Sequence, residues 1–169
     1  MEVQEALQKR RSVRKFTDEA VPEEMVHTLL RAAMSGPSAC NRMPWEFWVV
    51  TAEETLEALR KASRFTNYQS RLAIVVAGSL SRALPQQLGE YWIQDCSAAT
   101  ENILLQATEL GLGAVWCGIY PQVRPQQRVR VLLGMGEKQI PLNVIFLGFP
   151  AEEPEPRDQY QEKRVHWVK

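Results

Sequence analysis

One stretch, from about Gln87 to Leu110, restricts what this chain can fold into more than any other. Trp92, Cys96, Ala99, Ile103, Ala107 and Leu110 recur at the spacing of one helical face, and Gly111 supplies a stop. A second line, Tyr91, Ala98, Leu105 and Leu112, repeats every seven residues on nearly the opposite side, among Gln94, Asp95, Glu101, Asn102 and Glu109. A helix that is apolar on two sides needs two partners. A sheet of the same chain supplies one. With 169 residues, 45% of them apolar, the chain is long enough for one core and short for two domains, so few elements remain to cover the other side. The pattern predicts a homodimer packed through symmetric helices; the alternative is a central helix buried within a monomer.

Shorter patterns flank this helix. Val3, Ala6 and Leu7 predict a short N-terminal helix. Pro22 opens another, with Met25, Val26, Leu29, Leu30, Ala32 and Ala33 on one face and Gly36-Pro37 as its end. Glu46 to Val50 reads as a strand, Glu53 to Ser63 as a charged helix with Leu56 and Leu59 inward, and Leu72 to Ala77 as a strand apolar on both faces. The stretch from Gly113 to Pro121 begins as a strand and reaches Gly118, where backbone groups can come close to a ligand. A helix from Pro125 to Leu133 and a last core strand from Ile140 to Gly148 complete the set. Four strands with about five helices predict an α+β or α/β sandwich. Residues 1–150 are expected to form one domain. Beyond them an acidic, proline-rich run leads into an extended arm, 151–169, whose Val165, Trp167 and Val168 suggest that it docks on a partner subunit.

Chemistry concentrates near the N-terminus. Arg10-Arg11-Ser12-Val13-Arg14-Lys15-Phe16 places four guanidinium or ammonium groups besides Arg11's neighbour Ser12 and one aromatic anchor within seven residues. Cations after a helix C-terminus are favoured by the macrodipole, which accounts for part of the run but not for Ser12 or Phe16. With Phe16 in the core, Arg10, Ser12 and Arg14 alternate toward one side and suit a phosphate joined to a polar ring or sugar; the alternative is a solvated charge run. The loop from Gly36 to Trp45 contains Ser38, Ala39 and Asn41. It is either an ordinary turn that satisfies its own backbone or a small-residue surface that admits a flat ligand. Lys163 and Arg164 in the arm offer a second anionic contact. Twenty cations balance twenty acids, so the basic run is local and nucleic-acid binding is not expected. No apolar run reaches bilayer length and no signal core is present, which predicts a cytoplasmic protein without a membrane anchor. Cys40, Cys96 and Cys117, with His27 and His166, have neither metal-ligand nor disulfide spacing.

These motifs occur in a familiar order. The Arg-Arg-Ser-x-Arg-x-Phe start, the Pro-Ser-x-x-Asn-x-x-Pro-Trp loop feeding a strand, the helix from Asp95-Cys96-Ser97-Ala98-Ala99-Thr100 to Gly111-Leu112-Gly113, and the Arg164-Val165-His166-Trp167 ending follow one another. Over essentially its whole length the chain resembles the FMN-dependent nitroreductase family. The resemblance implies a nitroreductase-like fold, a central mixed sheet flanked by helices in an intertwined homodimer, with FMN held between both chains. It implies that Arg10, Arg11, Ser12 and Arg14 hold the phosphate, ribityl chain and pyrimidine edge of the flavin. Pro37, Ser38, Ala39 and Asn41 of the other subunit would lie against the ring. Trp116, Cys117 and Gly118 would run along one ring face and offer a backbone N–H to the reactive ring nitrogen, and Arg164, with Lys163, would reach the phosphate. Asn67 matches a flavin-contacting polar position of some relatives. No side chain is a nucleophile: NADH or NADPH would reduce the flavin, which would then reduce a nitroaromatic, quinone or similar small acceptor by a ping-pong mechanism. Relatives also include dehydrogenases and dehalogenating reductases, and a non-catalytic FMN-binding module is a further alternative. Met43 stands where many relatives carry glutamine, and the chain lacks the helical excursion that covers the pocket in larger members.

Overall fold

The computed structural model describes all 169 residues. Four strands, β1 (Trp45–Val50), β2 (Leu72–Ser79), β3 (Gly113–Gly118) and β4 (Gln139–Gly148), form one sheet in the order β1-β2-β4-β3. Five helices surround it: α1 (Val3–Lys9), α2 (Glu23–Met34), α3 (Glu53–Arg60), α4 (Tyr91–Glu109) and α5 (Val123–Leu132). The α+β architecture expected from the sequence is present. The expected mixed sheet is not: every strand pair is antiparallel, and the one parallel contact is an isolated bridge between Ser12 and Ala114. The cause is topological. The α4 crossover sends β2 and β3 in the same direction, as helical crossovers do, but β4 lies between them and runs against both.

All eight residues of β2 are buried, as its unbroken apolar run predicts. Leu72, Ile74 and Val76 face the layer made by α2 and α4, where they meet Leu29, Ala33, Trp92, Cys96, Ala99 and Ile103. Ala73, Val75 and Ala77 face the α3 and α5 layer, with Leu56, Leu59, Val129 and Phe146. Each fully buried leucine or isoleucine contributes about 1.5–3 kcal/mol relative to exposure, so the two layers together hold the sheet from both sides. At Gly78 the indole of Trp92 occupies the position that a Cβ would take, which fixes how closely α4 approaches the sheet.

The sequence pattern placed Leu112 on the outer line of the long helix, but the structure buries it in the core. Gly111 adopts φ +74°, the helix ends, and the Leu112 N–H returns to the Ala107 carbonyl at 2.8 Å. This left-handed exit turns the chain inward. Tyr91, Ala98 and Leu105 remain on the outer line, Tyr91 exposed and the other two half-buried. In α1 only Ala6 is buried, and Val3 and Leu7 face outward. The helix predicted from Glu53 stops at Arg60, whose buried guanidinium bridges Glu53 and the carbonyls of Tyr68 and Ser70. No helix is long and apolar enough to cross a membrane.

Candidate functional site

The basic segment is extended and pinned by two core anchors. Val13 packs into the position a Cβ of Gly113 would occupy, and its N–H donates to the Ala114 carbonyl at 3.0 Å. Phe16 lies over Gly148 and bridges Pro150, while the Thr17 N–H donates to Phe149 O at 2.9 Å. Since β3 is an edge strand, the Ala114 carbonyl bonded to Val13 marks its free side. Alternation along the strand turns the N–H and C=O groups of Trp116 and Gly118 to that side as well. A Cβ added at Gly118 would meet nothing within 4 Å. One chain thus brings Ser12 and Arg14 beside a glycine-ended strand edge with outward backbone donors.

The charged groups there are only loosely committed. The Arg14 guanidinium reaches the Ser12 carbonyl at 3.5 Å, and the Arg14 backbone N–H donates to Glu152 Oε1 at 2.7 Å. Arg10 faces Glu101 of α4 at 3.4 Å. Arg11 turns toward the arm, where its guanidinium donates to the Glu155 carbonyl. Burial pushes the Cys117 thiol up to about 12, and the positive charge of Arg14 opposes that shift, which puts Arg14 within electrostatic reach of Cys117. Cys96 is likewise pushed up to about 12, by burial and by the neighbouring Asp95. Both thiols are protonated throughout the neutral range, and only the exposed Cys40 is accessible. A thiol-alkylating reagent at pH 8 is therefore expected to label Cys40 in the native protein and all three cysteines only after denaturation, as intact mass would show. Rapid native labelling of Cys117 would contradict this environment.

The remaining candidate residues lie elsewhere in the chain. Pro37, Ser38, Ala39 and Asn41 form a loop on the N-terminal half of α4, with the Ala39 N–H donating to Asp95 Oδ1 at 2.9 Å and the Ser38 hydroxyl accepting from the Met43 N–H, also at 2.9 Å. Cys40, Asn41 and Met43 take φ values of 51°, 53° and 46°. This run of left-handed residues is costly for side chains other than glycine and is held by those bonds. Asn67 is exposed between α3 and β2; the adjacent Tyr68 meets Phe146 edge-on, 6.1 Å between centroids, on the sheet face opposite α4. Lys163 and Arg164 sit in an exposed single turn of the arm. Two structural carboxylates escaped the sequence reading. Asp95 had a signal, its place beside Cys96 on the inward face of α4. Glu152 had none, because its partner Arg14 is 138 residues away.

Comparisons with known proteins identify the family and the fold. The nitroreductase family model matches residues 7–70 and 66–149. A protein of Methanothermobacter thermautotrophicus, provisionally named an NADH dehydrogenase/NAD(P)H nitroreductase, is 41% identical over 169 residues, 100% of this chain and 88% of the relative. Among solved structures, an FMN-dependent nitroreductase from Clostridium difficile superposes with TM-score 0.88 at 30% identity, covering 97% of this chain and 98% of that one. A provisionally named nitroreductase from Desulfovibrio desulfuricans, solved in complex with FMN, superposes with TM-score 0.83 at 26% identity, covering 99% and 96%. With the family model matched over residues 7–149 and a relative 41% identical along the whole of this chain, this chain belongs to the nitroreductase family.

Proposed function

We propose that the protein is a homodimeric FMN-dependent oxidoreductase that takes hydride from NADH or NADPH and reduces a small acceptor, such as a nitroaromatic or quinone, in a ping-pong cycle. The observation that carries this reading is the placement of Ser12 and Arg14 along the free edge of β3, with Ser12 bridged to Ala114 on the strand that ends at Gly118. These residues suit FMN. The guanidinium fork of Arg14 and the hydroxyl of Ser12 match an anionic and polar rim, the Trp116 and Gly118 N–H groups face outward, and the missing side chain of Gly118 leaves room for a flat ring.

Bound there, FMN would supply the hydride chemistry, so no nucleophilic side chain is required. Arg14 would place positive charge where a reduced flavin gathers negative charge, favouring that state. Arg10, once released from Glu101, would reach the phosphate. Cys117 stays protonated and serves as a buried wall of the strand. Pro37, Ser38, Ala39, Asn41, Lys163 and Arg164 are assigned to the site of the partner subunit. Three groups of unburied apolar side chains support that assignment: Tyr91 and Leu105 on the outer line of α4, Val3 and Leu7 on α1, and Val165 and Trp167 of the arm, the last 79% exposed. On this reading, residues 151–169 are an arm that clasps the second subunit.

The test is a visible spectrum of the purified protein, with added FMN if it is colourless, followed by NADH or NADPH under anaerobic conditions. A bound flavin that bleaches within seconds and recovers its colour when a quinone is added is the expected result. FMN that binds but resists both nicotinamides would leave a binding module without this turnover.

A further inference from the structure

We infer that the groove between α3 and α5 is a second ligand site, which takes a small amphiphilic carboxylate with its head on Arg124 and Arg128 and its alkyl or aryl body on an apolar floor. The groove measures about 680 Å³ and lies on the sheet face opposite α4. Ala58, Ala62, Val131 and Leu132 supply its apolar surface. Beneath it Leu59 and Val129 are fully buried, so the inward faces of both helices are already committed to the core. What remains is an outer seam, floored on one side by two alanines four residues apart and rimmed on the other by Val131, 78% exposed.

The charge of the groove has one sign. Lys61, Arg124 and Arg128 line it, and no carboxylate does. Lys61 is matched by Glu57 at 2.6 Å. The two arginines are in no ion pair of the structure, and the Arg128 guanidinium has only the Ala62 carbonyl, at 3.4 Å. Their positions are locally unfavourable. Arg124 stands in the first turn of α5, where the helix dipole disfavours a cation and no acidic residue compensates. Arg124 and Arg128 are also like charges four residues apart on one helix. The chain has as many acids as bases and gives Arg10, Arg60 and Arg71 carboxylate partners. Departures from local consistency concentrate at functional sites.

Size selects the class of occupant. A groove of this volume holds one small molecule. A stable protein partner uses roughly 20–30 residues a side, and eight residues line this groove. Polarity selects the chemistry: an apolar body displaces water from the floor, and one carboxylate meets the guanidinium forks above it. The lining residues include none from the basic segment, from β3 or from the loop of Pro37 to Asn41. The site is therefore separate from the flavin edge, and its assignment does not depend on FMN.

The experiment is a calorimetric titration of the protein with decanoate below its micelle concentration, with and without added FMN. Decanoate is expected to bind at a single site per chain, with an affinity that FMN changes by less than about twofold, as for separate sites. Decanol keeps the body and loses the charge, and acetate does the reverse; each is expected to bind about tenfold more weakly or worse. Arg124→Gln combined with Arg128→Gln, both at exposed positions, should weaken decanoate about tenfold or more, the scale of lost charge-assisted hydrogen bonds. Ala58→Leu, at a half-buried position of the floor, should weaken it as well while both arginines remain. Equal affinity for decanoate and decanol, undiminished binding in the double variant, displacement of decanoate by FMN, or no decanoate binding at all would each overturn the site. An acidic amphipathic peptide that binds where decanoate does not would give the groove to a protein partner and overturn the assignment too.

Discussion

Replacing Arg14 by alanine is expected to weaken FMN binding about 10–100-fold, the effect of losing one charge-assisted hydrogen bond of ~1.5–3 kcal/mol, and to make the bound flavin harder to reduce. Arg14 is exposed and lies between the two anchors of its segment, Val13 and Phe16, so its side chain can be removed without disturbing the core. The backbone bond from Arg14 to Glu152 survives the substitution. Its guanidinium has only a 3.5 Å contact to the Ser12 carbonyl to give up, which leaves it free to turn onto a ligand. Ser12→Ala, by contrast, should affect retention alone, because the hydroxyl carries no charge that distinguishes oxidised from reduced flavin. Fluorescence titration and a redox titration measure the two quantities separately. An Arg14→Ala protein with unchanged affinity and potential would remove Arg14 from the site.

Leu105→Asp is expected to yield a folded monomer that has lost at least tenfold in FMN affinity, a loss of about 1.4 kcal/mol or more. Leu105 is half-buried on the outer line of α4, away from the core contacts of Trp92, Cys96, Ala99 and Ile103. A carboxylate there remains solvated in the monomer but would be desolvated and unpaired across a symmetric interface, where it would also face its own copy. Loss of flavin should follow because the loop of Pro37 to Asn41 and the arm of Lys163 and Arg164 do not approach the Gly118 edge of their own chain in any bond of the structure. Analytical ultracentrifugation with a parallel FMN titration decides the matter. A monomer that binds FMN as tightly as wild type would refute a site shared between subunits.

Local physics made much of this molecule legible from its residues. The run Leu72 to Ala77 could be read as a strand covered on both faces because nothing polar interrupts it, and Gly111 could be read as a helix stop because a positive φ favours glycine. The basic segment was legible as a candidate site for the same reason: its anchors and cations lie within seven consecutive residues. What depended on distant partners was not. The all-antiparallel sheet follows from the insertion of β4 between β2 and β3, and no local pattern encodes insertion. Leu112 obeyed the seven-residue spacing but follows the glycine that breaks the helix, so its spacing no longer described its direction. Arg11 read as one more cation of the run, yet alternation in an extended segment turns it away from Arg10 and Ser12 toward the arm.

The position of β4 also orders events during synthesis. The strand that joins the two halves of the sheet is the last to leave the ribosome, and until residue 148 emerges β2 has one unpaired edge and β3 has no strand partner. The N-terminal basic segment waits longer still, since Phe16 and Thr17 are fastened by Phe149 and Pro150. A nascent chain arrested before β4 therefore exposes apolar strand edges open to mispairing, and the proposed site on the basic segment is fastened only once residues 149 and 150 have emerged.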